Sequence, residues 1–135
     1  MEYAILETIR SQIEMGVLIS FHRDGEPTAY RRLREALDLF SGFTTSLVTH
    51  GLNLAQRAEE IIDRCTTLTV SVFRGDADFR EQRTAVTEFL AIKGTRPPVV
   101  QLKIVGDMSK DELAPYEALG VRIIRRLIHV PISNS

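Results

Sequence analysis

"LTVSVFRGDADFREQRTAVTEFLAIKGTRPPVVQLKIV", residues 68–105, decides the fold because its hydrophobic period changes twice. Residues 68–73 alternate around Val70 and Val72, the period-two signature of a strand. Asp78 followed by Glu81 then opens a helical stretch that carries Phe79, Val86, Phe89 and Leu90 and stops at Gly94. Past Pro97 and Pro98, "PVVQLKIV" returns to a strand rich in β-branched residues. A strand, a helix and a second strand of this kind form a crossover unit, and crossovers join parallel strands.

The same alternation extends in both directions. Residues 2–15 place Leu6, Ile9 and Ile13 on one helical stripe before Gly16 and the strand "VLISF", residues 17–21. Thr28 is placed to cap a helix through Tyr30, Leu33, Leu37 and Phe40 that ends near Gly42, and "TTSLVT" follows as a strand. Asn53 with Gln56 reads as a capping box for a helix through Leu54, Ala58, Ile61 and Ile62, which puts Cys65 on its apolar face. Ser109 with Glu112 caps a last helix, whose start Pro115 is expected to push toward Leu113, and "VRIIRRLIH" closes the chain as a strand. No linker or change of composition divides residues 1–135, which predicts one domain of α/β class with helices over a parallel sheet. A doubly wound sheet and a partial βα barrel both satisfy this pattern, and five strands are too few for a closed eight-stranded barrel.

Composition excludes several classes of function. With 135 residues, 44% hydrophobic, and a net charge of -1, the chain is large enough for a core and lacks the basic excess of a nucleic-acid binder. Acids at Glu2 and Glu7 stand where a secretory signal would be basic, and no apolar run approaches a membrane span. A single cysteine excludes a disulfide framework, so the expected location is the cytoplasm.

Rare polar groups collect where parallel folds place their chemistry, at the C-terminal strand ends. His22, Asp24 and Glu26 follow the first strand, His50 the second and His129 the last; Arg74 ends the third, and Lys103 lies within the fourth. His22, Asp24, His50 and His129 are one candidate ligand set for zinc or a similar ion, which would activate water for a metal-dependent hydrolase. A small-ligand-binding α/β module is the other reading of the same residues. Ser71 lies between Val70 and Val72 and therefore points to the opposite face of its strand.

The segment "HRDGEPT" after the first strand resembles the glycine–glutamate motif of the radical S-adenosylmethionine superfamily, with Gly25, Glu26 and Pro27 in the "GEP" form. "VTHGL" is similar to the motif that follows that family's next strand, with His50 where asparagine is usual, and "LTVSVFRGD" looks like the strand after it. The resemblance spans essentially the whole chain. It implies a partial TIM-type (βα) barrel that lacks the first strand, with outer helices. It also implies S-adenosylmethionine as cofactor: Gly25, Glu26 and Pro27 at its amino group, and Thr49, His50 and Ser71 near its ribose or carboxylate.

The family's "CxxxCxxC" loop, which holds a [4Fe-4S] cluster, has no counterpart in these residues. The chain is therefore expected to be a fragment that does not generate the 5′-deoxyadenosyl radical by itself, its cluster cysteines lying upstream in a full-length form. The substrate is not identified by any motif. Loss of the first strand would expose residues 17–21 as an edge, which predicts homo-oligomers paired through it.

Overall fold

The computed structural model describes residues 3–12, 18–21, 31–73 and 79–126. Five helices, α1 (Tyr3–Gln12), α2 (Leu33–Leu39), α3 (Ala58–Ile61), α4 (Phe79–Lys93) and α5 (Lys110–Glu117), alternate with five strands. The strands are β1 (Leu18–Phe21), β2 (Thr44–Thr49), β3 (Thr67–Phe73), β4 (Val99–Val105) and β5 (Arg122–Arg126). They form one sheet in the order β1-β2-β3-β4-β5. Every neighbouring pair is parallel.

This order never reverses, so the doubly wound alternative is excluded for the described strands. Right-handed crossovers in such an order carry each connecting helix to the same face of the sheet. The core shows the result. Leu37 of α2, Ile61 of α3, Phe89 of α4 and Tyr116 of α5 pack in one cluster with Leu47, Val70, Leu102 and Ile104 of the strands. Along β3 and β4, Leu68, Val70, Val72, Val100, Leu102 and Ile104 are all at most 5% exposed. Of their alternates, Thr69 is 6% exposed, Thr67, Ser71, Gln101, Lys103 and Val105 are half-buried, and Phe73 and Val99 are exposed. The chain is thus a two-layer α/β structure whose sheet has a helix-covered face and a face over which no described helix lies.

A smaller cluster extends the helix layer over the β1 side. Leu6 of α1 packs with Ala36 of α2 and with Phe40 and Phe43, whose rings meet edge to face at 6.1 Å. Arg32 lies 3.9 Å over the Tyr3 ring and also pairs with Glu35, which ties the start of α2 to α1. On the other side of the sheet order, β1 and β5 have no described strand outside them.

Several helix boundaries differ from the sequence expectation. The box expected at Asn53 does not form: residues 52–57 are turns, and α3 is one turn long with no side-chain cap at Arg57. Tertiary packing wins there, because Leu54 must drop into the core, where it is fully buried. Cys65 consequently lies beyond α3, in the connection to β3, rather than on the helix. The described part of α2 begins at Leu33, and Thr28 and Tyr30 lie outside the described residues. At α5 the Ser109–Glu112 capping box is present, with Ser109 Oγ accepting from Glu112 N at 3.2 Å and Glu112 Oε1 accepting from Ser109 N at 3.0 Å. It outweighs Pro115, which sits inside the helix without delaying its start.

Candidate functional site on the open face of the sheet

Strand register assembles the polar alternates into rows. Ser46 of β2 faces Thr67 of β3; Val48 faces Thr69, which faces Gln101 of β4, which faces Arg122 of β5. One step nearer the C-terminal ends, Ser71 faces Lys103, which faces Ile124. Cross-strand neighbours of this kind lie roughly 4.8 Å apart, so Thr69, Gln101 and Arg122 form one contiguous polar strip, flanked by Val48, and Ser71 and Lys103 another, flanked by Ile124. Gln101 Nε2 donates to Thr69 Oγ1 at 2.9 Å, fixing both side chains on this face.

At the C-terminal rim the His50 ring stands 5.8 Å from the Phe73 ring, tilted by 53°. Both residues are exposed. His50 and Ser71 therefore share the open face. Thr49 is turned the other way: it is 3% exposed on the helix side, and its Oγ1 accepts the Gly51 N–H at 3.0 Å. The turn depends on Gly51, whose φ is +86° and where an added Cβ would stand 3.1 Å from Val70 Cγ1. Gly25, Glu26, Pro27, His22, Asp24, Arg74 and His129 lie outside the described residues. The strand that leads to the first of them, β1, ends at Phe21 in register with Leu47 of β2.

One residue that sequence reasoning did not single out holds this rim. Gln82 of α4 is 3% exposed, and its Nε2 donates to the His50 carbonyl at 2.7 Å and to the Ser71 carbonyl at 2.9 Å. Its Oε1 accepts from the buried Tyr116 hydroxyl at 3.1 Å. Both amide hydrogens are thereby used, and β2, β3, α4 and α5 are joined through one side chain. A signal for it exists in the sequence. Gln82 lies four residues before Val86 and seven before Phe89, a polar residue on an otherwise apolar helical stripe.

The opposite end of the sheet has a different character. A groove of about 480 Å³ is lined there by Asp38, Phe43, Thr66, Lys93, Arg96 and Pro97, among others. Its charges are mutually engaged: Arg64 Nε lies 3.1 Å from Asp38 Oδ1, Arg96 Nη1 lies 3.5 Å from Asp63 Oδ2, and Lys93 Nζ donates to the carbonyls of Gly94 and Arg96. These contacts tie loops together.

Cys65 is 5% exposed, and burial pushes its thiol up to about 12. A neutral, enclosed thiol is a poor metal ligand. Among the described residues, no group of three or more His, Cys, Asp or Glu side chains is placed to hold a metal ion. No described helix is long and apolar enough to cross a membrane.

The chain matches no family among known protein families and no curated protein.

Proposed function

We propose that the chain is the S-adenosylmethionine-binding core of a radical S-adenosylmethionine enzyme, folded as an arc of a TIM-type (βα) barrel that lacks the first strand. The observation that supports this reading is the monotonic parallel order with helices on one face and, on the other, hydroxyl, amide and ammonium groups set among apolar residues such as Val48, Val105 and Ile124. In a barrel the uncovered face is the interior, and its C-terminal rim is where ligands bind. His50 and Ser71 stand on that face; His50 follows β2, the neighbour of the strand that Gly25, Glu26 and Pro27 follow in sequence, and Ser71 lies one strand further on, in β3.

In this reading the Glu26 carboxylate and the backbone around Gly25 and Pro27 take the ammonium group of the cofactor. Ser71 and His50 approach its ribose or carboxylate. Thr49 shapes the turn that presents His50, and Gln82 fixes the carbonyls of His50 and Ser71 so that both residues keep one position. The open-face donors suit a polar, oxygen-rich ligand of this kind.

The iron–sulfur cluster of that family does not fit the residues of this chain. Its one cysteine is sealed in the helix layer with its thiol protonated. Reductive cleavage of S-adenosylmethionine to a 5′-deoxyadenosyl radical would require cysteines carried elsewhere, and this chain alone is expected to bind the cofactor without cleaving it.

Calorimetric titration of S-adenosylmethionine into wild type and Glu26→Ala tests the reading. Binding by wild type that weakens roughly tenfold in the variant, the loss of a charge-assisted hydrogen bond, is expected. Equal or absent binding in both would contradict it. Stoichiometric zinc uptake abolished by His22→Ala would support the metal-dependent hydrolase instead.

A further inference from the structure

The five strands contain four charged residues, Lys103, Arg122, Arg125 and Arg126, and all four are cationic. Arg125 belongs to the helix side, where its Nη2 donates to the Met108 carbonyl at 3.5 Å and lies 3.9 Å from Asp107. Lys103 and Arg122 belong to the open face. Neither makes a hydrogen bond or ion pair with another described residue, although Lys103 is half-buried. The contrast with the other sheet end is informative, because Arg64 and Arg96 there are each matched to a carboxylate.

Lys103 and Arg122 lie on adjacent strands with no described carboxylate paired to either, and an anion seated between two such cations gains from both. Lys103 stands opposite Ser71, and Arg122 opposite Gln101, one step deeper along the same face. Both lie below the rim formed by His50 and Phe73: Lys103 is two residues before the end of β4, about 6.6 Å down the strand. A cofactor held at the rim leaves this deeper strip uncovered.

We propose that the deeper strip is an oxyanion site for the substrate: a small molecule with a carboxylate or phosphate group seated on Lys103 and Arg122 and a hydroxylated body over Ser71, Thr69 and Gln101. Arg122 supplies a planar fork suited to either anion, and Lys103 a point charge. The proposal uses the same open face as the S-adenosylmethionine reading, and its anion is distinct from the carboxylate of that cofactor.

Amide-resolved NMR titration of the full chain with inorganic phosphate is the test, run with wild type, Lys103→Met and Lys103→Arg. Dispersed spectra establish that each variant is folded. Saturable shifts confined to residues 69–73, 101–105 and 122–124 are expected in wild type, with affinity roughly tenfold lower in Lys103→Met and largely kept in Lys103→Arg, as for loss and retention of a charge-assisted contact. Shifts that persist when S-adenosylmethionine is added support a separate substrate anion. Displacement of phosphate by S-adenosylmethionine would overturn the proposal by assigning Lys103 to the cofactor carboxylate, and so would shifts centred on Arg64 and Arg96 or no saturable shift. Failure of S-adenosylmethionine to bind while phosphate binds at Lys103 would reject the cofactor reading and leave the oxyanion site standing.

Discussion

Gln82 donates a 2.7 Å hydrogen bond to the backbone carbonyl of His50, so a side chain from the helix layer sets the position of a residue on the opposite face of the sheet. The same amide reaches the Ser71 carbonyl, and the Tyr116 hydroxyl closes the group. The buried polar cluster thus couples fold stability to the geometry of the rim. Replacing Gln82 by Leu removes its hydrogen bonds to two backbone carbonyls and to a buried phenol and should cost about 2–4 kcal/mol. Urea unfolding of wild type and variant measures this, and a difference below about 0.5 kcal/mol would show that the cluster contributes nothing. Tyr116→Phe should cost less, about 1 kcal/mol, since it removes a single bond.

Gly51→Ala combines two penalties at the turn after β2. The residue has φ +86°, and the new methyl would press on Val70, with Leu54 and Val86 each 3.5 Å from it. A loss of about 1–3 kcal/mol is expected from the left-handed conformation and overpacking together. Thermal melts report it; an unchanged melting temperature would mean that the turn relaxes freely.

Cys65 should titrate against folding. Its thiol is pushed up to about 12, above the ordinary value that it regains on unfolding, so its contribution is fully present below about pH 9 and is lost as pH rises toward about 12. Stability of wild type should therefore fall more steeply above pH 9 than that of Cys65→Ala. Native Cys65 should also resist alkylation at pH 8 and react once the chain is unfolded. Rapid labelling of the native chain would contradict its enclosure.

Glu60 shows the opposite sign. Its carboxyl is held below the usual range chiefly by the hydrogen bond from Arg57. The pair stabilises above the unfolded carboxyl value and is lost as pH falls through the folded one. Glu60→Gln should then cost less than about 1 kcal/mol at pH 7, the scale of a partly exposed ion pair, and the difference from wild type should narrow at about pH 4. Denaturant titrations at the two pH values check the sign.

β1 ends the sheet, with no described strand beyond it. The sequence Leu18–Phe21 carries no charge or proline to discourage pairing. Self-association through this edge is the expected outcome, with Ser20→Lys favouring the monomer. Light scattering across micromolar concentrations should show a wild-type mass above 15.2 kDa that the variant reduces. A monomer at every concentration would remove the edge from the account.

Strands were the most legible elements, because runs such as "TTSLVT" and "LTVSVF" are short, rich in β-branched residues and separated by stretches of helical period. The face of Ser71 followed from its neighbours Val70 and Val72, and the same parity makes Gln101 and Lys103 readable as their partners on β4. Strand order was not legible, since both doubly wound and barrel-like sheets use the same crossover units. The length of α3 was misjudged because Asn53 and Gln56 satisfy a capping pattern locally, whereas burial of Leu54 beneath Gly51 dictates turns. Gln82 is hidden for a related reason: in sequence it lies between Glu81 and Arg83 and resembles a solvated position, although its spacing from Val86 and Phe89 places it on the apolar stripe that packs against Tyr116. Thr49, next to His50 in sequence, sits on the other face because a strand alternates.

S-adenosylmethionine is expected to bind at the C-terminal rim of the open face, and amide-resolved NMR of the full chain titrated with it is the deciding measurement. Saturable shifts are expected at His50, Gly51, Ser71 and Phe73, with residues around Asp38, Asp63 and Arg96 at the opposite sheet end unchanged. Shifts at that opposite end, or none at saturating cofactor, would contradict it.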